Sequence, residues 1–508
     1  MEKLMTLNLE EQDHLEEVIS LISKTVKGDR ELIYHILFNG LSAFTSKPNH
    51  LMIMERSSEG KTYPVLQISQ HFPEENVITL GSVTPQIFKY EIGLPVDKNY
   101  EPIQERLDLL DKQISLAKEN KNKSDGQGLS VKELEIQKRE LLSEVRYLVD
   151  MRNKWIIFKE PPDSRLLEVL YSTLSSDEEF NEHRFVNKEK GKNQSFKVIL
   201  RGTPAILICT AKDESRNNRW EETFTRFNII SPVSNSQKYR EGMRLISKSF
   251  GLPKELYEEQ VINEEEKKRI SSLIQELIEQ VSDLDGEVFN PFMDELDKQF
   301  PQESGSRWRQ YQRFLGMLNL HCLCYSRNRP KCVMKEKKVP FVTKADVRWA
   351  FSTIKEQNDL PPNKLNWFKD TFVPAWKNSA KHVIFNGEEI IERKCIIGQD
   401  LRLFIKEKTS ANVSTKQIRE NYLDILFEHG LIEKENDPRN RTREVYWPVE
   451  GYDEKSESSL ISFSSLNESC VNSFIEKYLK QRFSFELHGK ILTQEEVIQY
   501  ILSDQNVI

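Results

Sequence analysis

Four short apolar runs constrain this chain more than any other feature: "LMIM" (51–54), "VITL" (77–80), "WIIF" (155–158) and "AILICTA" (205–211). A strand with one wet face alternates apolar and polar residues, so "LMIM", "WIIF" and "AILICTA", which stay almost wholly apolar, read as buried strands, while "VITL" reads as a second strand. Helical stretches lie between, such as "VISLISKTVKGDRELIYHILFNGLSAFTS" ahead of the first run, and the order is that of an α/β unit. No apolar run reaches the roughly 18–20 residues that cross a membrane. At 508 residues the chain exceeds one core, and roughly three or four units are expected. A net charge of −7 and a mean hydropathy of −0.60 describe a charge-rich chain that does not advertise nucleic acid as a whole. The opening "MEKLMTLNLEEQDHLEE" is acidic and lacks the basic-then-apolar order of a signal peptide, so a cytoplasmic, membrane-free protein is expected.

The first run leads into "ERSSEGKT" (55–62), which fits the phosphate-loop pattern G-x-x-x-x-G-K-[ST] at every defined position but the first, where Glu55 replaces glycine. In such a loop the backbone of Ser57, Ser58, Glu59 and Gly60 cradles phosphates, Lys61 reaches the terminal ones and the Thr62 hydroxyl holds Mg2+. About a hundred residues on, "WIIFKE" has the shape of a strand ending in catalytic acids. Glu160 would polarise the attacking water, but the magnesium acid expected before it is Lys159. Glu55 and Lys159 could pair if their strands were adjacent.

Two inserts interrupt the α/β pattern. Ile103, Leu107, Leu110 and Ile114, then Leu134, Leu141, Val145 and Leu148, predict an antiparallel helical hairpin over about 101–152, with Ser130 and Glu133 as a capping box. "HRFVNKEKGKNQSFKVILRG" predicts a β-hairpin over about 184–201 with a basic tip.

"TRFNIISP" resembles the "SRFD-apolar" segment of the minichromosome-maintenance (MCM) branch of AAA+ ATPases. Several other parts fall in that family's order: the second core strand in "ENVITLGSVTP", the helix-2 insert, the presensor hairpin, "AILICTA" as the sensor-1 strand, and "SRWRQYQRFLGMLNLH" as the lid. The resemblance covers about residues 20–350. It implies an AAA+ core that binds ATP and Mg2+, with Arg226 as an arginine finger acting across a subunit interface. It further implies Thr210 as the polar sensor and Arg309 (or Arg307) as sensor 2. One of Lys188, Lys190 and Lys192 would grip DNA in a ring's channel.

Residues 399–449 read as helices followed by a β-wing whose turn carries Arg439, Arg441 and Arg443, a winged helix suited to DNA phosphates. Ser414 or Thr415 would cap one of its helices, and Gly430 would close the recognition-type helix. The expected division is a helical lead-in (1–40), an AAA+ α/β core (41–235), a helical lid (236–355), the winged helix (356–450), and a linker with short C-terminal helices (451–508). "HCLCYSRNRPKC" places His321, Cys322, Cys324 and Cys332 close together, but its spacing matches no common zinc pattern and reads as a buried helix face. The six Lys/Arg of 326–338 read as a solvated loop. The leading expectation is an MCM-like ATPase that forms a homo-oligomeric, hexameric ring on DNA and works with replication proteins as a helicase. Against it stand a non-hydrolysing ATP-binding scaffold or helicase loader, and a winged-helix transcriptional regulator.

Overall fold

The computed structural model describes residues 14–55, 60–81, 93–119, 130–143, 145–162, 166, 174, 179–189, 192–210, 226–232, 236–300, 305–334, 337–355, 364, 367–386, 390–409, 413–428, 431–449, 463–479 and 483–503. The apolar runs become β1 (Leu51–Met54), β2 (Val77–Leu80), β5 (Trp155–Phe158) and β8 (Ala205–Thr210), joined by β9 (Asn228–Ile230). They form one parallel sheet in the order β2-β5-β8-β1-β9. Alternation divides each strand between two cores. Leu51, Ile53, Trp155, Ile157, Leu207 and Cys209 face one, while Met52, Met54, Ile156, Phe158, Ile206 and Ile208 face the other. Each large side chain removed from water contributes roughly 1.5–3 kcal/mol, which favours β1, β5 and β8, buried at every position, as inner strands, while β2, with Thr79 exposed and no residue buried, stands at the edge.

The first core is closed by helices His14–Ile22, Arg30–Ser42, Glu264–Ser282 and Gly305–Cys324. Leu15, Val18, Ile19 and Ile22 make the i, i+3, i+4, i+7 stripe that packs in this core with Ile270, Leu273 and Ile274. Arg269 donates to both Glu17 oxygens at 2.8 Å. The lead-in and the lid therefore share one core with the sheet.

On the other face a second sheet runs β3-β4-β7-β6, from β3 (Leu94–Val96), β4 (Arg146–Asp150), β6 (Phe180–Glu189) and β7 (Lys192–Arg201). The helical arm is Gln104–Glu119 and Val131–Ser143, with the predicted box in place: Ser130 N–H donates to Glu133 at 2.7 Å and Glu133 N–H to Ser130 Oγ at 3.3 Å. The arm ends sooner than its apolar rhythm suggests. Leu148 belongs to β4, where parallel pairing with β7 outweighs the helical period. Because β4 and β7 are parallel, the arm and the basic hairpin leave this sheet at the same end.

Residues 326–338 are not a loop throughout. Lys331–Met334 and Lys337–Pro340 are strands, and Lys331–Met334 also pairs with Ser484–Leu487 from the C-terminal segment. The last residues thus add a hairpin (Ser484–Leu487 and Lys490–Leu492) between helices Glu468–Phe474 and Gln494–Leu502, packed on Phe292, Phe314 and Phe341. Between lies a small unit: helical residues 367–378, a hairpin (His382–Asn386 and Ile390–Lys394), strand Ile396–Ile397, helix Gly398–Thr409, helical residues 415–428, and the hairpin Ile432–Asp437 with Asn440–Pro448. Ser414 caps the third helical stretch reciprocally with Gln417. Gly430 lies outside the described residues.

Candidate nucleotide site at the carboxyl edge of the central sheet

All five strands of the central sheet point the same way, so their carboxyl ends share one edge. The strand after β1 in sequence within this sheet, β2, lies at one side, and the strand after β8, β9, lies at the other. The two connections run in opposite directions and part at the carboxyl ends of β1 and β8, the kind of place where open α/β sheets form a crevice and bind ligands.

The phosphate-loop residues sit there. Glu55 N–H donates to the Thr210 carbonyl at 3.3 Å, joining the ends of the two strands. Ser57, Ser58 and Glu59 lie outside the described residues. Gly60 has φ +77°, a left-handed conformation that glycine adopts without strain, and among the described residues no atom lies within 4 Å of where a Cβ would stand. Lys61 is buried, with Nζ 2.7 Å from the Glu55 carbonyl. Thr62 opens helix Thr62–Ser69, which its N-cap residue Lys61 does not cap through its side chain, and the first-turn N–H groups and positive end of the dipole lie at this edge. Cys209 lies one residue before Thr210 on β8. Burial pushes the Cys209 thiol up to about 11, against the opposing influence of the Thr62 hydroxyl and the Lys61 charge. Thr210, the last residue of β8, is buried beside Met54.

Lys159 and Glu160 follow β5 on the same edge, both exposed, with Lys159 N–H bonded to the Leu80 carbonyl at 3.0 Å. The strands of Glu55 and Lys159 are not adjacent, because β8 lies between β1 and β5. The pairing expected from adjacency is dropped.

Arg226 lies at the opposite edge. It precedes β9, whose first residue pairs with Leu51, and Asn228 N–H donates to the His50 carbonyl at 2.8 Å. Four residues of β1, about 13 Å, separate this edge from the phosphate loop. His50 is held down to about 4, first by burial and also by the Arg226 charge. Its ring packs 5.5 Å from that of Phe227. Arg313, which sequence reasoning did not single out, donates to the Phe227 carbonyl. Its helix passes so close that a Cβ on Gly316 would come within 2.7 Å of Asn49 Oδ1. Arg309 is one turn before Arg313, so both belong with Arg226 rather than with Lys61. The spacing in "RQYQR" was the available signal.

His321 and the nearby cysteines form no metal cluster among the described residues. His321 Nδ1 lies 2.6 Å from Asp346 Oδ1, and Arg329 donates to the same oxygen at 2.7 Å, all three buried. Thr343 donates to the other oxygen through N–H (2.7 Å) and Oγ (2.8 Å). Of the DNA candidates, Lys190 is outside the described residues, and only the backbone is described for Lys188, Lys192 and Arg441. Arg439 and Arg443 are exposed, but Arg439 is partly committed, donating to the His382 carbonyl at 3.0 Å. No described helix is long and apolar enough to cross a membrane.

No family model and no curated protein matches this chain. Among solved structures it is similar to the ORC2 protein of Aeropyrum pernix in its ADPNP–ADP complexes. That match has 10% identity over 89% of this chain and 93% of the other, with a TM-score of 0.18. A superposition that loose fixes no residue equivalence.

Proposed function

We propose that this chain is an AAA+-type, ATP-binding protein of DNA replication, whose nucleotide site is shared between copies. One observation carries this reading: Lys61 and Thr62 occupy the carboxyl-end crevice between β1 and β8, while Arg226 stands at the far end of β1. This separation within one copy supports Arg226 serving a neighbour's site. Lys61 would hold the terminal phosphates, and first-turn N–H groups would hold the others. The Thr62 hydroxyl would hold Mg2+, which would neutralise phosphate charge. Glu160 would orient water, and Thr210 would sense the phosphates. Arg226 and Arg309 of the next copy would stabilise the charge of transfer.

Apart from the added hairpin His382–Asn386 with Ile390–Lys394, the helix, short strand, two helical stretches and hairpin of 367–449, with Ile396–Ile397 antiparallel to Asn440–Pro448, support a winged helix. The arginines at its hairpin suit DNA phosphates. Ring assembly and MCM-like unwinding are the finer form of this proposal, with Lys188, Lys190 and Lys192 in the channel. Lys159, standing where an acid would hold Mg2+, favours a second reading, a scaffold or loader that binds ATP without turnover.

DNA-stimulated ATPase assays separate them. Glu160→Gln is expected to abolish turnover and retain binding. Lys61→Ala and Arg226→Ala are each expected to be inactive alone and to regain activity when mixed. Wild type that binds ATP without turnover establishes the second reading. A mixture that stays inactive while wild type turns over removes the shared site.

A further inference from the structure

A lysine stands where the sequence pattern calls for a magnesium acid, and strand register fixes its place. β5 pairs with β8 in parallel, Ile157 opposite Leu207 and Phe158 opposite Ile208. The ladder of β5 with β2 runs one residue further, since Lys159 N–H donates to the Leu80 carbonyl at 3.0 Å. Carried on by one residue, the register sets Lys159 level with Cys209, which lies opposite Ile53 of β1 on its other side. Side-chain alternation gives the face. Trp155, Ile157, Ile53 and Cys209 all belong to the core that helix Thr62–Ser69 joins through Val65 and Ile68, and Lys159 follows on that side.

This brings Lys159 close to the phosphate loop. The Cys209 thiol lies under the influence of both the Thr62 hydroxyl and the Lys61 charge. Neighbouring strands are about 4.8 Å apart, and the four-carbon stem of a lysine carries its ammonium across such a gap. Lys159 is exposed, so the stem can turn to the crevice without leaving a packed position. Mg2+ takes near-octahedral oxygen ligands and is commonly anchored by a carboxylate. Thr62 brings one hydroxyl, and an ammonium at the carboxylate's level repels a second cation. That ammonium is itself a compact charge with three donors, suited to phosphate oxygens.

We propose that Lys159 stands in for the metal. It and Lys61 hold the terminal phosphates of a nucleoside triphosphate from either side of Cys209, so the nucleotide binds with or without Mg2+. The inference rests on the nucleotide reading of the Lys61 loop and adds its metal requirement. Mg2+ that arrives on the nucleotide can still meet the Thr62 hydroxyl, but affinity does not depend on it.

The test titrates the full-length chain with a fluorescent ATP analogue, once in excess Mg2+ and once in excess EDTA. Wild type is expected to bind with similar affinity in both. Lys159→Ala and Lys159→Asp are each expected to lose about tenfold or more in EDTA, the worth of a charged hydrogen bond. Lys159→Asp is expected to recover in Mg2+, because the carboxylate restores a metal ligand. Wild type that binds about tenfold or more weaker in EDTA than in Mg2+ overturns the proposal. So does a Lys159→Ala or Lys159→Asp chain that keeps wild-type affinity in EDTA. Lys61→Ala, read in parallel, is expected to abolish binding in both conditions. Wild type that binds in neither condition, or Lys61→Ala that binds like wild type, overturns the nucleotide reading and this inference with it. Lys61-dependent binding that requires Mg2+ keeps that reading and overturns the inference alone.

Discussion

The two edges of the central sheet are made from the ends of the same strands, yet they are held together differently. At the amino edge, His50, Phe227 and Arg313 interlock, Gly316 lies against Asn49, and the Asn228 N–H closes onto the His50 carbonyl. At the carboxyl edge, Lys61 folds onto a backbone carbonyl rather than capping the helix it precedes, and Gly60 sits in a left-handed turn with no described residue close beside it. The first kind of edge ties helices to strands. The second keeps its polar groups on contacts that a phosphate could replace. Stability is uneven across folds, and ligand-binding segments come from the weaker end.

The comparison breaks most readily at Asp346, behind the amino edge. Asp346→Ala leaves Arg329 buried without its carboxylate, with Nε and Nη1 already unpartnered. A loss of about 3–5 kcal/mol in urea unfolding is expected. A loss under about 1 kcal/mol would show that the interlocked side does not carry the stability. At the other edge, Lys61→Ala is expected to lower ATP turnover by about a hundredfold or more while shifting unfolding by less than about 0.5 kcal/mol. A large stability loss there would erase the distinction.

Acid sharpens it. His35 and His50 are buried and held down to about 4, below the ordinary 6.5, with burial the leading cause. Because the folded chain resists their protonation, their contribution is complete above about pH 6.5 and is lost as pH falls through about 4. Up to about 3 kcal/mol each is at stake. Urea unfolding followed from pH 7 to 4 should fall accordingly, and His50→Asn should flatten part of the slope. The smallest effect is expected from Gly60→Ala, about 1 kcal/mol of backbone strain, visible more in nucleotide affinity than in thermal unfolding.

Local signals were legible in the sequence. Ser130 with Glu133, and Ser414 with Gln417, cap helices within four residues, and Trp155–Phe158 needed no distant partner to read as a buried strand. What escaped depended on pairing. Lys331–Met334 looks like a solvated basic loop until Ser484–Leu487, some 150 positions away, pairs with it. Leu148 keeps a helical rhythm until β7 draws it into a sheet. Arg313 was one arginine among several until Phe227 stood beside it.

By itself, the sequence determined the apolar strands, the helical faces that cover them, and the glycine and lysine of the loop, because each depends on residues close along the chain. The tertiary structure alone decided strand order, and with it that Lys61 faces the β1–β8 crevice, that Arg226 and Arg309 lie at the opposite edge, and that Glu55 and Lys159 are kept apart by β8. Strand order depends on which distant backbone groups pair and which apolar faces meet, and no local pattern of side chains encodes that choice.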